Sequence, residues 1–284
     1  MLAPALILLF LFSYEPMAGI VIAFKQYYPG LSWSECPWVG FENFEFLHYK
    51  EFYRVLGNTL AITGLRLLIG FPAPIILALM LDHVRSSKFK RVAQSIVYLP
   101  HFMSWIVVAY ILESALSPSV GFVNSLMELC GMEKVIFMAK PQYFRGLVTL
   151  SGVWKEIGWG TIIYLAAISG IDQSLYEAAE VEGASSMQQL FQITLPLLMP
   201  TISVMLVLNI PNLLNAGMDQ ILPLQNAANL KVSDVLDTYI LRNGLQQGKY
   251  AVSTAAGLLS SAVKLILLLG TNKVSKSLGG AGLW

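Results

Sequence analysis

The sequence predicts an all-α integral membrane protein of six transmembrane helices, and three observations predict it. Hydrophobic residues make up 56% of the 284 residues, charged residues only 12%, and mean hydropathy is +0.63. A soluble globular domain is nearer one quarter charged. So few charges cannot cover a water-facing surface, which excludes a soluble enzyme, a disordered tail and a fibre. The second observation is a succession of six mostly apolar runs, each near the roughly 20 residues that cross a bilayer. The third is a concentration of lysine and arginine in one short loop between two of these runs.

The runs cover residues 2–24, 57–81, 92–116, 144–170, 194–216 and 250–274, and form one domain, 1–284. The first lacks a basic leader, and its apolar stretch is too long for a signal peptide. It is read as an uncleaved span. Because it starts at Met1 with no cytoplasmic tail, the N-terminus is read as shortened. The segment after it, 25–56, is rich in rings: Tyr27, Tyr28, Trp33, Trp38, Phe41, Phe44, Tyr49, Phe52 and Tyr53. Such rings sit at the headgroup level of a bilayer. Anchoring in membrane lipid is the expectation, and docking of an outside partner is the alternative.

The loop between the second and third runs carries Arg85, Lys88, Lys90 and Arg91, and the tail carries Lys273 and Lys276. Basic residues in short loops stay in the cytoplasm. Both termini are therefore expected inside, with 25–56, 117–143 and 217–249 outside. Cys36 and Cys130 both fall outside; they are read as unpaired, with a bridge as the alternative. His48, His83 and His101 are scattered and no C-x-x-C occurs, so no metal site is signalled. Net charge is +1, which offers no basic field to nucleic acid. Gly244-Leu-Gln-Gln-Gly248-Lys249-Tyr250 is one residue too short for a phosphate loop and lacks its Ser/Thr. No cofactor is expected on this chain, ATP included.

The loop between the fourth and fifth runs breaks the charge rule. It holds Asp172, Glu177, Glu180 and Glu182 and no basic residue, yet parity puts it in the cytoplasm. Ser174 and Glu177 have the spacing of a capping box, which predicts a helix starting there. Ala179, Gly183 and Ser186 fall at i, i+4 and i+7 as a small-residue stripe. Gly183 is a natural corner. The expected shape is a short helix, a bend and a second short helix on the inner surface. An amphipathic connector resting on lipid is the bland reading, but acidic side chains are poorly suited to an anionic leaflet.

Glu177-Ala178-Ala179, three residues, Gly183, nine residues, Ile193, one residue, then Leu195-Pro196 resembles the EAA loop of ABC importer permeases. Loop 171–196 departs from the family pattern at Glu182, where Asp is common, and at Gln188, Gln189 and Gln192, where basic residues are common. Trp38-Val-Gly40-Phe-Glu42-Asn43-Phe44, Asn58-Thr59-Leu60 and Leu99-Pro100 are similar to carbohydrate importer permeases. Asp234-Val-Leu-Asp237-Thr238-Tyr239, Gly244 to Tyr250 and the ending Gly282-Leu283-Trp284 are similar to the LplB-like subfamily for oligosaccharides and polysaccharides. The resemblance implies the ABC importer permease fold and a sugar-like solute. It implies coupling of Glu177, Ala178, Ala179, Gly183, Ile193, Leu195 and Pro196 to the ATPase. The implied partners are two cytoplasmic ABC ATPase subunits, which bind the ATP, a second permease, identical or homologous, and an extracellular solute-binding protein. A bacterial plasma membrane is the implied location, and no catalytic residue is expected. The rival readings are a permease for an amino acid or peptide, and a carrier or assembly protein without an ATPase.

Ionisable and amide side chains inside the spans mark pathways or pairings. Lys155 and Glu156 point about 100° apart on a helix and are expected not to pair with each other; Arg66 and Glu113 are the candidate partners. Trp154, Glu156 and Trp159 are candidates for sugar contact, because aromatic faces beside hydrogen-bonding groups suit a pyranose. A structural ion pair is the other reading. Asn209, Asn212 and Asn215 recur every third residue and share one broad face, with Pro211 permitting a bend. They are expected to face the bundle interior, lining a pathway or bonding helix to helix.

Overall fold

A computed structural model describes residues 2–277. Met1 and the ending Gly282-Leu283-Trp284 lie outside the described residues. The regular elements of the described residues are all helical, with one isolated antiparallel bridge between Lys25 and Trp38. Helix α1 covers Ala3–Phe24, α2 Lys50–Asp82, α3 Ser87–Phe102 and α4 Trp105–Ala115. Helix α5 covers Phe122–Leu129, α6 Pro141–Ser169 and α7 Gln173–Val181. Helix α8 covers Ser186–Leu214, α9 Met218–Leu224, α10 Leu236–Leu241 and α11 Tyr250–Ser277.

Among the described residues, α1, α2, α8 and α11 are long and apolar enough to cross a membrane, and α3 with α4 makes a fifth if the bent pair is one span. Helix α6 has 29 residues but is less apolar, because Arg145, Lys155 and Glu156 lie along it. The third expected run is thus not one straight helix. Helices α3 and α4 meet at 104°. Pro100 opens a short 3-10 turn, Met103 is extended, and Ser104 caps α4 by accepting from Val107 N–H at 3.3 Å. A proline followed by a new cap ends one helix and starts another. The break is packed against α6 at Gly158, where a Cβ would clash with the Val97 carbonyl.

Three apolar clusters hold the bundle together. One joins Phe46, Phe52, Val55, Leu236, Tyr239 and Ala255, where the segment after α1 meets α2, α10 and α11. Another joins Ile62, Ala109, Phe144, Val148, Ile221 and Val235 across α2, α4, α6 and α9. A third joins Ala78, Leu81, Tyr164, Leu165, Ile168 and Leu198 across α2, α6 and α8.

The segments expected outside are folded onto these clusters. Phe24 stacks on Trp38 with centroids 5.7 Å apart and meets Phe41 and Phe44, while Asn43 donates to the Ala23 and Lys25 carbonyls at 3.0 Å each. Asp234 is fully buried and is held by Arg242 at 2.7 and 2.8 Å. Asn58 donates to the Lys231 and Asp234 carbonyls at 2.9 and 3.0 Å. Thr59 accepts from the Leu236 N–H at 2.8 Å. The Trp38–Phe44, Asn58–Leu60 and Asp234–Tyr239 stretches therefore tie these segments to the helices. Cys36 is buried and Cys130 exposed, and both are free.

Candidate functional site

Helix α2 widens into a π-turn at Arg66–Gly70, where the Phe71 N–H bonds the Arg66 carbonyl at 3.1 Å. Pro72 follows at the start of the next turn and brings no N–H of its own. The α8 helix tightens to 3-10 geometry over Ile210–Leu214, around Pro211. Gly217, at φ +75°, then turns the chain into α9. Together with α4 and α6 these irregular stretches border a half-open cavity of about 490 Å³. Helical irregularities of this kind are common at functional sites.

Glu156, Trp159, Asn209, Asn212 and Asn215 all line this cavity. Trp154 does not line it; it is exposed on another side of α6. Asn209 donates one N–H to the Met205 carbonyl at 2.8 Å, and Asn215 accepts from the Gly217 N–H at 3.2 Å. Both amides keep further hydrogen-bonding capacity toward the cavity. Thr63, Arg66, Phe71, Trp105, Tyr164 and Gln220 add to the polar and aromatic part of the wall.

Lys155 and Glu156 do pair, at 3.0 Å, against the expectation from their helical angle. Adjacent side chains diverge at the backbone, but His101 collects both. Lys155 donates to the His101 carbonyl at 2.8 Å, and His101 Nδ1 meets Glu156 Oε2 at 2.7 Å. The His101 ring also stacks on Trp159, with centroids 4.4 Å apart and planes 3° from parallel, and Lys155 lies over Trp105 at 5.1 Å. The expected partners are engaged elsewhere or not at all: Arg66 donates to Gln220 Oε1, and Glu113 is exposed. The sequence reading missed His101 because the clamp forms only where the α3–α4 break meets α6. It missed Gln220 because that residue falls in a segment read simply as outer loop.

The acidic loop forms a second candidate site. Asp172, not Ser174, caps α7: its Oδ1 accepts from the Ser174 N–H at 3.0 Å. The expected Ser174–Glu177 capping box is thus replaced by a cap two residues earlier. That bond, and one from the Ser174 side chain, hold the Asp172 carboxyl below its ordinary value. Helix α7 closes with the Gly183 N–H on the Glu180 carbonyl at 3.0 Å and the Ala184 N–H on Ala179 at 2.9 Å. This is a Schellman motif, and it needs the left-handed φ of +82° at Gly183. The small-residue stripe is therefore cut at Gly183 and does not run along one helix.

After the corner, Ser185 and Gln188 form the capping box that opens α8. No separate second helix lies on the surface; α8 runs on through a π-turn at Leu190–Thr194 into Leu195-Pro196. The Pro196 ring cannot sit against the carbonyl four residues back in a regular helix, and the π-turn precedes it. Tyr176 Oη and Thr194 Oγ1 lie 2.9 Å apart and tie α7 to α8. Glu177, Ala178 and Gly183 are exposed, Ala179, Ile193 and Leu195 half-buried, and Pro196 exposed. The loop presents Val181, Met187 and Phe191 to the surroundings, at 90%, 63% and 60% exposure.

The fold and these two sites define a helical membrane protein with a half-open cavity, lined by apolar residues and a few amides and charges, and an exposed acidic loop. Residues 70–272 match the binding-protein-dependent transport system inner membrane component family, and the chain belongs to that family. It is 41% identical over 285 residues to protein LplB of Bacillus subtilis (strain 168), covering 100% of this chain and 90% of that protein. It is 42% identical to the polygalacturonan/rhamnogalacturonan transport system permease protein YteP of the same organism, covering 100% and 89%. Among solved structures, a chain of a bacterial ABC transporter involved in the import of the acidic polysaccharide alginate superimposes with a TM-score of 0.91. That match has 41% identity and covers 98% of this chain and 94% of the other. A chain of a bacterial alginate ABC transporter in complex with an alginate pentasaccharide-bound periplasmic protein gives 0.92 at 40% identity, covering 100% and 95%. The family expected from the sequence motifs is the one found.

Proposed function

We propose that the chain is the transmembrane permease subunit of an ATP-driven importer for an oligosaccharide, one domain of six spans with both termini in the cytoplasm. In this reading α6 and the bent α3–α4 pair join the four apolar helices as spans. The observation that carries it is the cavity: three asparagines, a carboxylate and two indoles face one space inside an apolar bundle. Amides donate to and accept from hydroxyls, and indole faces suit sugar rings. The relatives named for polysaccharide transport support the same class of solute.

The cavity is one half of a pathway that a second permease completes. An outside binding protein delivers the sugar, and loop 171–196 seats in two cytoplasmic ATPase subunits that hydrolyse the ATP. Its exposed Val181, Met187 and Phe191 are the apolar anchors, and Tyr176–Thr194 carries the motion from α7 into α8. The chain itself performs no catalysis in this scheme. The test is purification of the tagged chain with its co-expressed neighbours, followed by sugar uptake in proteoliposomes. An ATPase subunit should co-purify, and uptake should require both ATP and the binding protein. A chain that purifies without any ATPase and leaves uptake unchanged when deleted would overturn the proposal.

A further inference from the structure

His101 and Lys155 stand behind the cavity wall and hold residues that form it. Trp105, Glu156 and Trp159 line the cavity, whereas His101 and Lys155 do not. The His101 ring covers one face of the Trp159 indole, with centroids 4.4 Å apart and planes 3° from parallel. The edge of the same ring brings Nδ1 to 2.7 Å from Glu156 Oε2. An ionised carboxylate only accepts, so the proton of this bond is on Nδ1. Glu156 and Trp159 are three positions apart on α6 and are therefore neighbours on its surface. That spacing lets a single imidazole serve both.

The imidazole is itself held. It belongs to the short turn that breaks α3 from α4, and Lys155 donates to its backbone carbonyl at 2.8 Å. Lys155 is buried and lies over Trp105 at 5.1 Å. Phe102 meets the imidazole edge-on at 5.5 Å. The two cavity residues keep capacity for a ligand. Glu156 gives one oxygen to Lys155 and the other to His101, but a carboxylate has about four lone-pair sites, and this side chain is 46% exposed. Trp159 has one face taken by His101 and is still 48% exposed.

We infer that His101 is a positioning residue for solute recognition. It backs the Trp159 indole and fixes the Glu156 carboxylate, so that one sugar ring meets an aromatic face and a hydrogen-bond acceptor already set side by side. This rests on the cavity being the pathway. A free glutamate side chain loses rotamer freedom when a ligand orders it. Holding it beforehand removes that cost from the binding step.

The experiment places a cysteine at Asn212, in a background lacking Cys36 and Cys130, within the assembled permease–ATPase complex. It measures how trigalacturonate, maltotriose and arabinotriose protect that cysteine from a water-soluble thiol reagent, and follows the sugar that protects best. His101→Ala should raise the half-protecting concentration about tenfold and leave the labelling rate without sugar unchanged. His101→Asn keeps an N–H for Glu156 without the ring, and His101→Phe keeps the ring without the N–H. Each should restore part of the protection, and they supply the reading if His101→Ala fails to assemble. In a Glu156→Ala background His101→Phe should have no further effect, because the donor then has nothing left to hold. A general structural role would instead change the labelling rate without sugar and give losses that add in the double variant. That result, or an unchanged half-protecting concentration in the His101 variants, would overturn this inference and leave the pathway standing. Protection by none of the three sugars with His101 intact would overturn the pathway reading itself.

Discussion

Asp172 holds the start of α7 through a carboxylate that is open to solvent and bonded to the Ser174 N–H. Because its folded value is held below the ordinary aspartate range, its contribution is complete above that range. The contribution is lost as pH falls through the lowered value. Hydrogen exchange of the α7 amides, corrected for intrinsic rates, should show steady protection near neutral pH and a decline on acidification. Asp172→Asn should keep the cap, since Asn is as good an N-cap, and should remove that acid-dependent decline. The cavity asparagines give a second residue-scale prediction. Asn209→Ala and Asn212→Ala should leave expression and ATPase assembly near normal and alter the rate or preference of uptake. If these amides only bond helix to helix, truncation should instead lower stability, by about 0.6 kcal/mol on average for intramembrane hydrogen bonds, with uptake per assembled complex unchanged. Quantitative uptake normalised to complex decides between them.

At the scale of elements, the α7–α8 corner is built from local signals that agree. A Schellman closure at Gly183 is followed at once by the Ser185–Gln188 capping box. Gly183 has open space around its Cα, so the objection to a side chain there is the φ of +82°, not a clash. A β-carbon in that conformation is strained. Gly183→Leu should therefore shift the angle between the helices while the chain still inserts. Uptake and substrate-stimulated ATPase activity should both be lost in a complex of normal abundance, and normal values for both would remove the coupling role. The α3–α4 break follows a different logic. Leu99-Pro100 was legible as a motif, but the 104° turn also depends on Ser104 as a cap and on Gly158 admitting Val97. The last of these is on another helix, 61 positions away in the numbering.

At the scale of the whole molecule, the wall of the cavity is assembled from α2, α4, α6, α8 and α9. If it is a pathway, cysteines at 209 and 212, in a chain lacking Cys36 and Cys130, should react with a water-soluble thiol reagent, and solute should protect them. Lack of reaction in every nucleotide state would move the pathway elsewhere and leave the asparagines as helix-to-helix bonds. Helix α1 is at the other extreme. Its apolar stretch is unburied in the single chain, so a folded complex should cover it with lipid or with the second permease. Crosslinks from α1 to a partner permease, against crosslinks to lipid alone, distinguish these two coverings.

By itself the sequence determined the membrane class, the apolar runs and the coupling-loop resemblance, and it singled out Glu156, Trp159, Asn209, Asn212 and Asn215, which line the cavity. Each of these is a local or periodic property: hydropathy accumulates along a run, and amides in an apolar helix must turn inward wherever the neighbours lie. What only the tertiary structure decided depends on groups far apart in the chain. Lys155 and Glu156 pair because the His101 carbonyl and ring arrive from the α3–α4 break. Trp154 is left off the wall by the rotation of α6, which packing sets. Arg66 is held on the cavity wall by Gln220, 154 positions later, whose amide oxygen accepts from it. Periodicity tells which face of a helix is polar, but the partner that meets that face is chosen by packing, and packing is a property of the whole chain.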